Sequence, residues 1–383
     1  MSRSPIYLDN HATTPVDARV LEAMLPWFTE HFGNAASKTH SFGLRASVAV
    51  SQARRQIAQL LGAADPSEII FTSGATESDN LAIKGAVRAM RPGRDHVVTV
   101  ATEHRAVLDS CATLQREGSE LTVLKPRPDG ILSLDDLEAT LTPTTALVSV
   151  MHANNEIGVI QPIAAIGQLC RRRGVLFHTD AAQSAGKLPL NVQEDCVDFC
   201  AFTAHKIYGP KGVAALYVRA DCGVRPAPQM DGGGHEDGYR SGTLNVPGIV
   251  GLAAALKLAC DERETEAVRL TALRNRLWHG LLEVCPQAVL NGDLDRRLPG
   301  NLNIIVPEAA SSRLGPFNTR VAVSGGSACS SGKKGSSHVL KAIGVSDEAG
   351  VGAIRFGLGR FTTADDVEYA VAEFAAALRQ SGN

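Results

Sequence analysis

The chain has 383 residues, 20% of them charged, and a formal net charge of −2. That length calls for a large α/β domain with a smaller companion rather than one simple core. The near-neutral balance leaves no field to draw in nucleic acid or an anionic membrane. The eight cysteines are scattered, with no CxxC pair and no Cys/His ladder at zinc spacing, so reduced structural thiols in a cytosolic enzyme are expected and metal ligands are not.

The first residues, "MSRSPIYLDNHATTPV", contain neither an apolar leader core nor an Arg/Ser-rich amphipathic presequence, and a cytoplasmic location is expected. No apolar run reaches the length of a membrane span; even "GIVGLAAALKLAC" is followed at once by "DERETE". From about residue 60 to 220, helical patterns alternate with the short apolar runs "EIIFTS", "HVVTV", "ELTVL", "ALVSVMHA", "GVLFHTD", "DFCAFTA" and "VAALYV". That alternation predicts a mostly parallel, helix-flanked sheet. A long helical periodicity from "PGIVGL" to "LLEVC" leads out of this unit. A smaller α/β unit follows, with "LPGNLNIIV", "TRVAVSGGSACSS" and the amphipathic helix "TADDVEYAVAEFAAALRQ".

Polar clusters fall where open α/β sheets bind ligands, beyond the carboxyl ends of strands. In "EIIFTSGATESDNLAIKG" a Thr/Ser/Gly turn joins a strand to a helix, so backbone N–H groups around Ala75 and Thr76 point at an anion. Taken alone, such a turn is also ordinary helix capping. Asp180 ends "VLFHTD", where a loop cap and a partner for a cationic ring nitrogen are both open readings. Lys206, in "DFCAFTAHKIYGPKG", follows a buried strand, a poor place for an unpaired ammonium. Pyridoxal phosphate needs an amine, a carboxylate and an anion cradle, and these three places supply them on one sheet.

The ordered series "YLDNHATTPV", "FTSGATESDNLAIKG", "TEHRAVL", "ANNEIGVIQPI", "FHTDAAQSAGKLPLNV", "AHKIYGPKGVAALY", "RSGTLNVPGIVG", "SGGSACSS" and "RFGLGRFTT" resembles the cysteine desulfurases of the NifS/IscS type, within the class V aminotransferase family of fold-type I pyridoxal-phosphate enzymes. The resemblance covers essentially the whole chain. It implies an aspartate aminotransferase-like fold with a large cofactor-binding domain over residues 15–255. The small domain, over 1–14 and 256–383, carries the catalytic cysteine loop. Lys206 is then the lysine that bonds to the cofactor aldehyde, Asp180 the partner of its ring nitrogen, and His104 a ring-stacking residue that serves in proton transfer. Thr76, Thr203 and His205 contact the phosphate, Ala75 also binds the cofactor, Gln183 meets the phenolic oxygen, and Asn155 and Arg355 bind the substrate carboxylate. Thr243 reaches the phosphate of a neighbouring subunit, which implies a homodimer with shared sites.

Cys329 lies in "SGGSACSSGKKGSS", a run of small residues; it is the cysteine that residue reasoning also selects as a nucleophile, and Lys333 and Lys334 beside it could favour its thiolate. The implied reaction converts L-cysteine to L-alanine, leaves a persulfide on Cys329 and passes that sulfur to an acceptor or scaffold protein for iron–sulfur cluster assembly or tRNA thiolation. A selenocysteine lyase and a C–S lyase acting on cysteine or cystine are the alternatives on the same fold. Two departures stand out: Asp237 replaces a common basic residue in "GGGHEDGYRSGT", and "PEAASSRLGPFNTRVAV" before the cysteine is unusually polar.

Overall fold

The computed structural model describes residues 5–307, 314–325 and 336–379. Cys329, Lys333 and Lys334 lie outside the described residues, as does 308–313 of the polar segment. The first strand, β1 (Ile6–Tyr7), is short. All seven apolar runs then form strands: β2 (Ile69–Thr72), β3 (His96–Val100), β4 (Leu121–Leu124), β5 (Thr145–Ser149), β6 (Leu176–Asp180), β7 (Phe199–Thr203) and β8 (Ala214–Val218). They make one sheet in the order β2-β8-β7-β6-β5-β3-β4. The β3–β4, β3–β5, β5–β6 and β6–β7 pairs are parallel, and β8 runs antiparallel to both its neighbours.

Helices cover both faces, so the strands are mostly apolar and buried on both sides, and the polar side chains they carry, such as His178 and Thr179 of β6, are buried as well. In β7, Cys200 and Phe202 pack into one apolar cluster with Phe177 and Tyr217, while Phe199 and Ala201 pack into the opposite one with Ile70 and Leu216. Each fully buried Phe, Leu or Ile among them contributes about 1.5–3 kcal/mol of transfer free energy. Edge strand β4 is half-buried for the most part.

The remaining strands are β9 (Val289–Leu290), β10 (Asn301–Ile305), β11 (Val321–Ala322), β12 (Ser324–Gly325) and β13 (Ala353–Gly357). A four-stranded antiparallel sheet, β12-β13-β10-β9, packs with the C-terminal helix Ala364–Arg379 around Leu302, Phe356 and Phe374. A 39-residue helix, Val246–Val284, serves both cores. Its Ile249, Leu252 and Leu256 join the large-sheet cluster, and Leu277 and Leu281 join the smaller one.

The chain start ties the two sheets together. β1 pairs in parallel with β11, Asp9 bridges to Gly357, and the next residues cross to the large sheet, where Thr14 N–H donates to the His205 carbonyl and Asp17 N–H to that of Tyr208. This crossing brings the segment Asp9–Thr14 over the carboxyl ends of β6 and β7.

Candidate active site

A cavity of about 620 Å³ opens at those strand ends, and it collects Ala75, Thr76, His104, Asn155, Asp180, Gln183, Thr203, His205, Lys206 and Arg355. Ten of the residues singled out in the sequence thus share one space. Thr243 is not among the lining residues; it is exposed on the loop before Val246. Among the described residues no cysteine lines the cavity.

One wall is the start of helix Ala75–Met90. Its N-cap is Gly74, in extended backbone, and no side chain caps the helix. A Cβ added at Gly74 would meet nothing within 4 Å. The first N–H groups and the positive end of the helix dipole therefore face open space, an arrangement that suits a phosphate.

Asp180 ends β6 and is buried, accepting a hydrogen bond from Ala182 N–H at 2.8 Å. Burial, reinforced by Asp79, pushes its carboxyl up to about 6, while His104 works in the opposite direction. Such a group favours a cationic partner that would return it to the carboxylate form. His104 is the N-cap of helix Arg105–Arg116, and its Nδ1 accepts from Ala106 N–H at 3.1 Å. Burial lowers its pKa, so the ring is neutral with its proton on Nε2.

Lys206 stands in a single 3₁₀ turn, Ala204–Lys206, directly after β7. Its Nζ donates to the carbonyls of His11 (2.7 Å) and Ala12 (2.6 Å). Thr203 Oγ1 donates to Val213 O at 3.2 Å. His205 Nδ1 lies 3.1 Å from Thr13 Oγ1; burial and the charge of Lys206 lower its pKa to about 4.

Arg355, on β13, closes the opposite side. It is buried, and it donates to Asn155 O (2.9 Å), Asp9 Oδ1 (2.8 Å) and Ser324 Oγ (3.0 Å). Its buried Nε has no hydrogen-bond partner among the described residues, so donor capacity remains for an anion.

Sequence reasoning gave roles to none of the residues in Asp9–Thr14, yet this segment holds Arg355 through Asp9, Lys206 through two carbonyls, and His205 through Thr13 and Thr14. The available signal was a cluster of Asp, Asn, His and Thr ending at a proline just beyond a strand. Asp79 and Glu103 were also passed over. Both are buried near Asp180, and burial raises both carboxyls well above their ordinary range.

The departure at Asp237 has a local explanation. Its neighbour Glu236 is buried, accepts from Phe71 N–H (2.7 Å) and pairs with Arg54 (2.6 Å), which anchors the loop that carries Thr243. Asp237 is exposed, and its carbonyl accepts from Arg225, so its side chain has no place in the cavity.

The chain matches the aminotransferase class-V family model over residues 6–370. It is 54% identical over 376 residues to the cysteine desulfurase IscS of Anaeromyxobacter dehalogenans, covering 98% of this chain and 93% of that one. The structure resembles a NifS-like protein with a TM-score of 0.89 at 36% identity, covering 98% of this chain and 99% of that one. It also resembles SspA in complex with cysteine, with a TM-score of 0.83 at 35% identity over 94% of this chain and 100% of that one. The mostly parallel α/β architecture expected from the apolar runs is therefore the fold of these relatives, and the chain belongs to the aminotransferase class-V family.

Proposed function

We propose that the protein is a pyridoxal-phosphate-dependent cysteine desulfurase, which converts L-cysteine to L-alanine and leaves the sulfur as a persulfide on Cys329. The observation that carries the reading is the convergence of Lys206, Asp180 and the uncapped helix start at Gly74–Thr76 on one cavity. The residues fit the cofactor: the cradle is open, Asp180 favours a cationic partner, and Lys206 brings an amine to the same cavity. Once bonded to the substrate amine, pyridoxal phosphate supplies an electron sink that weakens the Cα–H and C–S bonds.

The protein's own groups do the rest. Lys206 would hold the cofactor through its Nζ, and the same amine would accept the Cα proton of the substrate. Asp180 would hold the ring nitrogen in its protonated form, and His104 would stack on the ring and pass a proton through Nε2. Ala75, Thr76, Thr203 and His205 would hold the phosphate, and Gln183 would meet the phenolic oxygen. Asn155 and Arg355 would grip the substrate carboxylate, with Asp9 fixing the guanidinium. The Cys329 thiolate bonds to the substrate sulfur as the C–S bond breaks, and the carbon skeleton leaves as alanine after protonation.

The same reading divides the chain into a large domain over 15–255 and a small one over 1–14 and 256–383. It makes the protein a cytoplasmic homodimer in which Thr243 serves the partner's phosphate. Exposed Leu25, Phe28, Phe32 and Phe42 support an interface between copies; Phe32 is 65% exposed, and its ring centroid is 5.5 Å from that of Phe42. The persulfide passes to an acceptor or scaffold protein for iron–sulfur cluster assembly, with tRNA thiolation the alternative.

The test supplies L-cysteine without reductant, assays alanine and locates added sulfur by peptide mass spectrometry, with Cys329→Ala alongside. Alanine with sulfur on Cys329, lost in the variant, is the expected result. Pyruvate and free sulfide, undiminished in Cys329→Ala, would identify a lyase instead.

A further inference from the structure

Gln183 is buried and lines the cavity, and both ends of its amide are taken by one residue. Its Nε2 donates to the His11 carbonyl at 2.8 Å, and its Oε1 lies 3.1 Å from His11 Nδ1. A carbonyl can only accept, so the His11 carbonyl fixes which end of the amide is nitrogen. The other end, Oε1, also only accepts, so Nδ1 of His11 must carry the ring proton. The ring is then a neutral Nδ1–H tautomer, and its Nε2 is buried with no hydrogen-bond partner among the described residues. The surroundings enforce the neutral form: burial first, then the charges of Lys187, Arg355 and Lys206 that face it, hold the imidazole well below its usual pKa.

We infer that His11 is a positioning residue that locks Gln183 with its amide nitrogen, not its oxygen, available to the cavity. This rests on the proposed pyridoxal-phosphate reading and extends it. With one hydrogen on the His11 carbonyl, Gln183 Nε2 keeps a second for the phenolic oxygen, and it acts there as a donor. A donor favours the oxygen in its anionic form. The lock therefore lowers the pH at which the yellow absorbance of the cofactor–lysine chromophore titrates. Without the ring the main-chain carbonyl of residue 11 still accepts from Nε2, but Oε1 loses its donor, so the amide is held at one end only and can swing its oxygen toward the cavity, where an acceptor favours the protonated form instead.

The experiment is a spectrophotometric pH titration of the protein loaded with pyridoxal phosphate, for the wild type, His11→Leu, His11→Asn, Gln183→Leu and the double variant His11→Leu/Gln183→Leu. His11→Leu should move the midpoint upward by about 0.5–1 pH unit, the worth of one hydrogen bond. In His11→Asn the amide nitrogen can stand where Nδ1 stood, and the midpoint should return toward the wild-type value. Gln183→Leu should shift the midpoint in the same direction, and adding His11→Leu to it should change nothing more, because His11 acts through Gln183. An unmoved midpoint in His11→Leu, or additive shifts in the double variant, would overturn the inference while leaving the cofactor assignment intact. A wild-type protein that forms no titrating yellow species would instead overturn the cofactor reading, and the lock with it.

Discussion

His152 sits directly behind the site: its N–H donates to the Asp180 carbonyl at 3.0 Å, its own carbonyl accepts from Gln161 N–H, and its Nδ1 is buried with no hydrogen-bond partner among the described residues. Burial alone lowers its pKa to about 4. In the unfolded chain the same imidazole titrates near 6.5. Between these values the unfolded state binds the extra proton, so the stabilisation is complete above about pH 6.5 and is lost as pH falls toward 4. From pH 7 to pH 5 this one group should cost about 2 kcal/mol of unfolding free energy. Buried Asp79, Glu103 and Asp180 have raised pKa values and act in the opposite direction over parts of the acid range, so the wild-type slope alone is not diagnostic. The difference between wild type and His152→Asn isolates the term. Urea unfolding at pH 7 and pH 5 should show a smaller acid loss in the variant by about that amount. Identical losses in the two proteins would contradict it.

The start of helix Ala75–Met90 sets stability against binding. Gly74 has extended backbone that any residue can adopt, and open space lies where its Cβ would be. Gly74→Asp should therefore fold normally, and its carboxylate would cap the free N–H groups for a gain of a few tenths of a kcal/mol at about the level seen for N-caps. The same carboxylate would occupy the anion cradle. Pyridoxal-phosphate affinity should fall about 10- to 100-fold, with the apoprotein melting temperature unchanged or slightly raised. Calorimetry of the apoprotein and an absorbance titration would check both halves, and full affinity in the variant would place the phosphate elsewhere. This element was legible in "FTSGATESDN" because a strand, a glycine turn and a helix start all have local signatures. The antiparallel course of β8 was legible too. Ala204 to Val213 separate it from β7 without an α-helix, fewer residues than a parallel crossover needs. His11 and Asp9 were not legible, because their positions depend on Ile6 and Tyr7 pairing with Val321 and Ala322 at the far end of the chain. Asp79 was hidden for a related reason. "ESDN" reads as a solvated first helical turn, and only the packing of that helix on the sheet buries the carboxylate.

Thr243 stands outside the cavity of its own chain. It is exposed, and its loop is held firmly by Glu236 to Arg54 and to the Phe71 N–H, so it is presented outward on a fixed support rather than folded over its own cavity. If Thr243 completes the partner's cradle, each cavity draws Lys206 from one subunit and Thr243 from the other. A mixed dimer of Lys206→Ala and Thr243→Ala subunits then contains one site with both defects and one with neither. Random exchange makes half of all dimers mixed, so mixing the two variants should restore about a quarter of the wild-type active sites. If Thr243 instead serves its own chain, every site in the mixture carries one defect and nothing is restored. Subunits exchanged in mild urea, assayed for alanine formation and checked for dimer content by sedimentation velocity, separate the two cases. Phe32→Asp on the exposed aromatic patch should dissociate the dimer and abolish the restored activity. Restoration that survives in a monomeric Phe32→Asp mixture would show that the recovered activity does not come from shared sites.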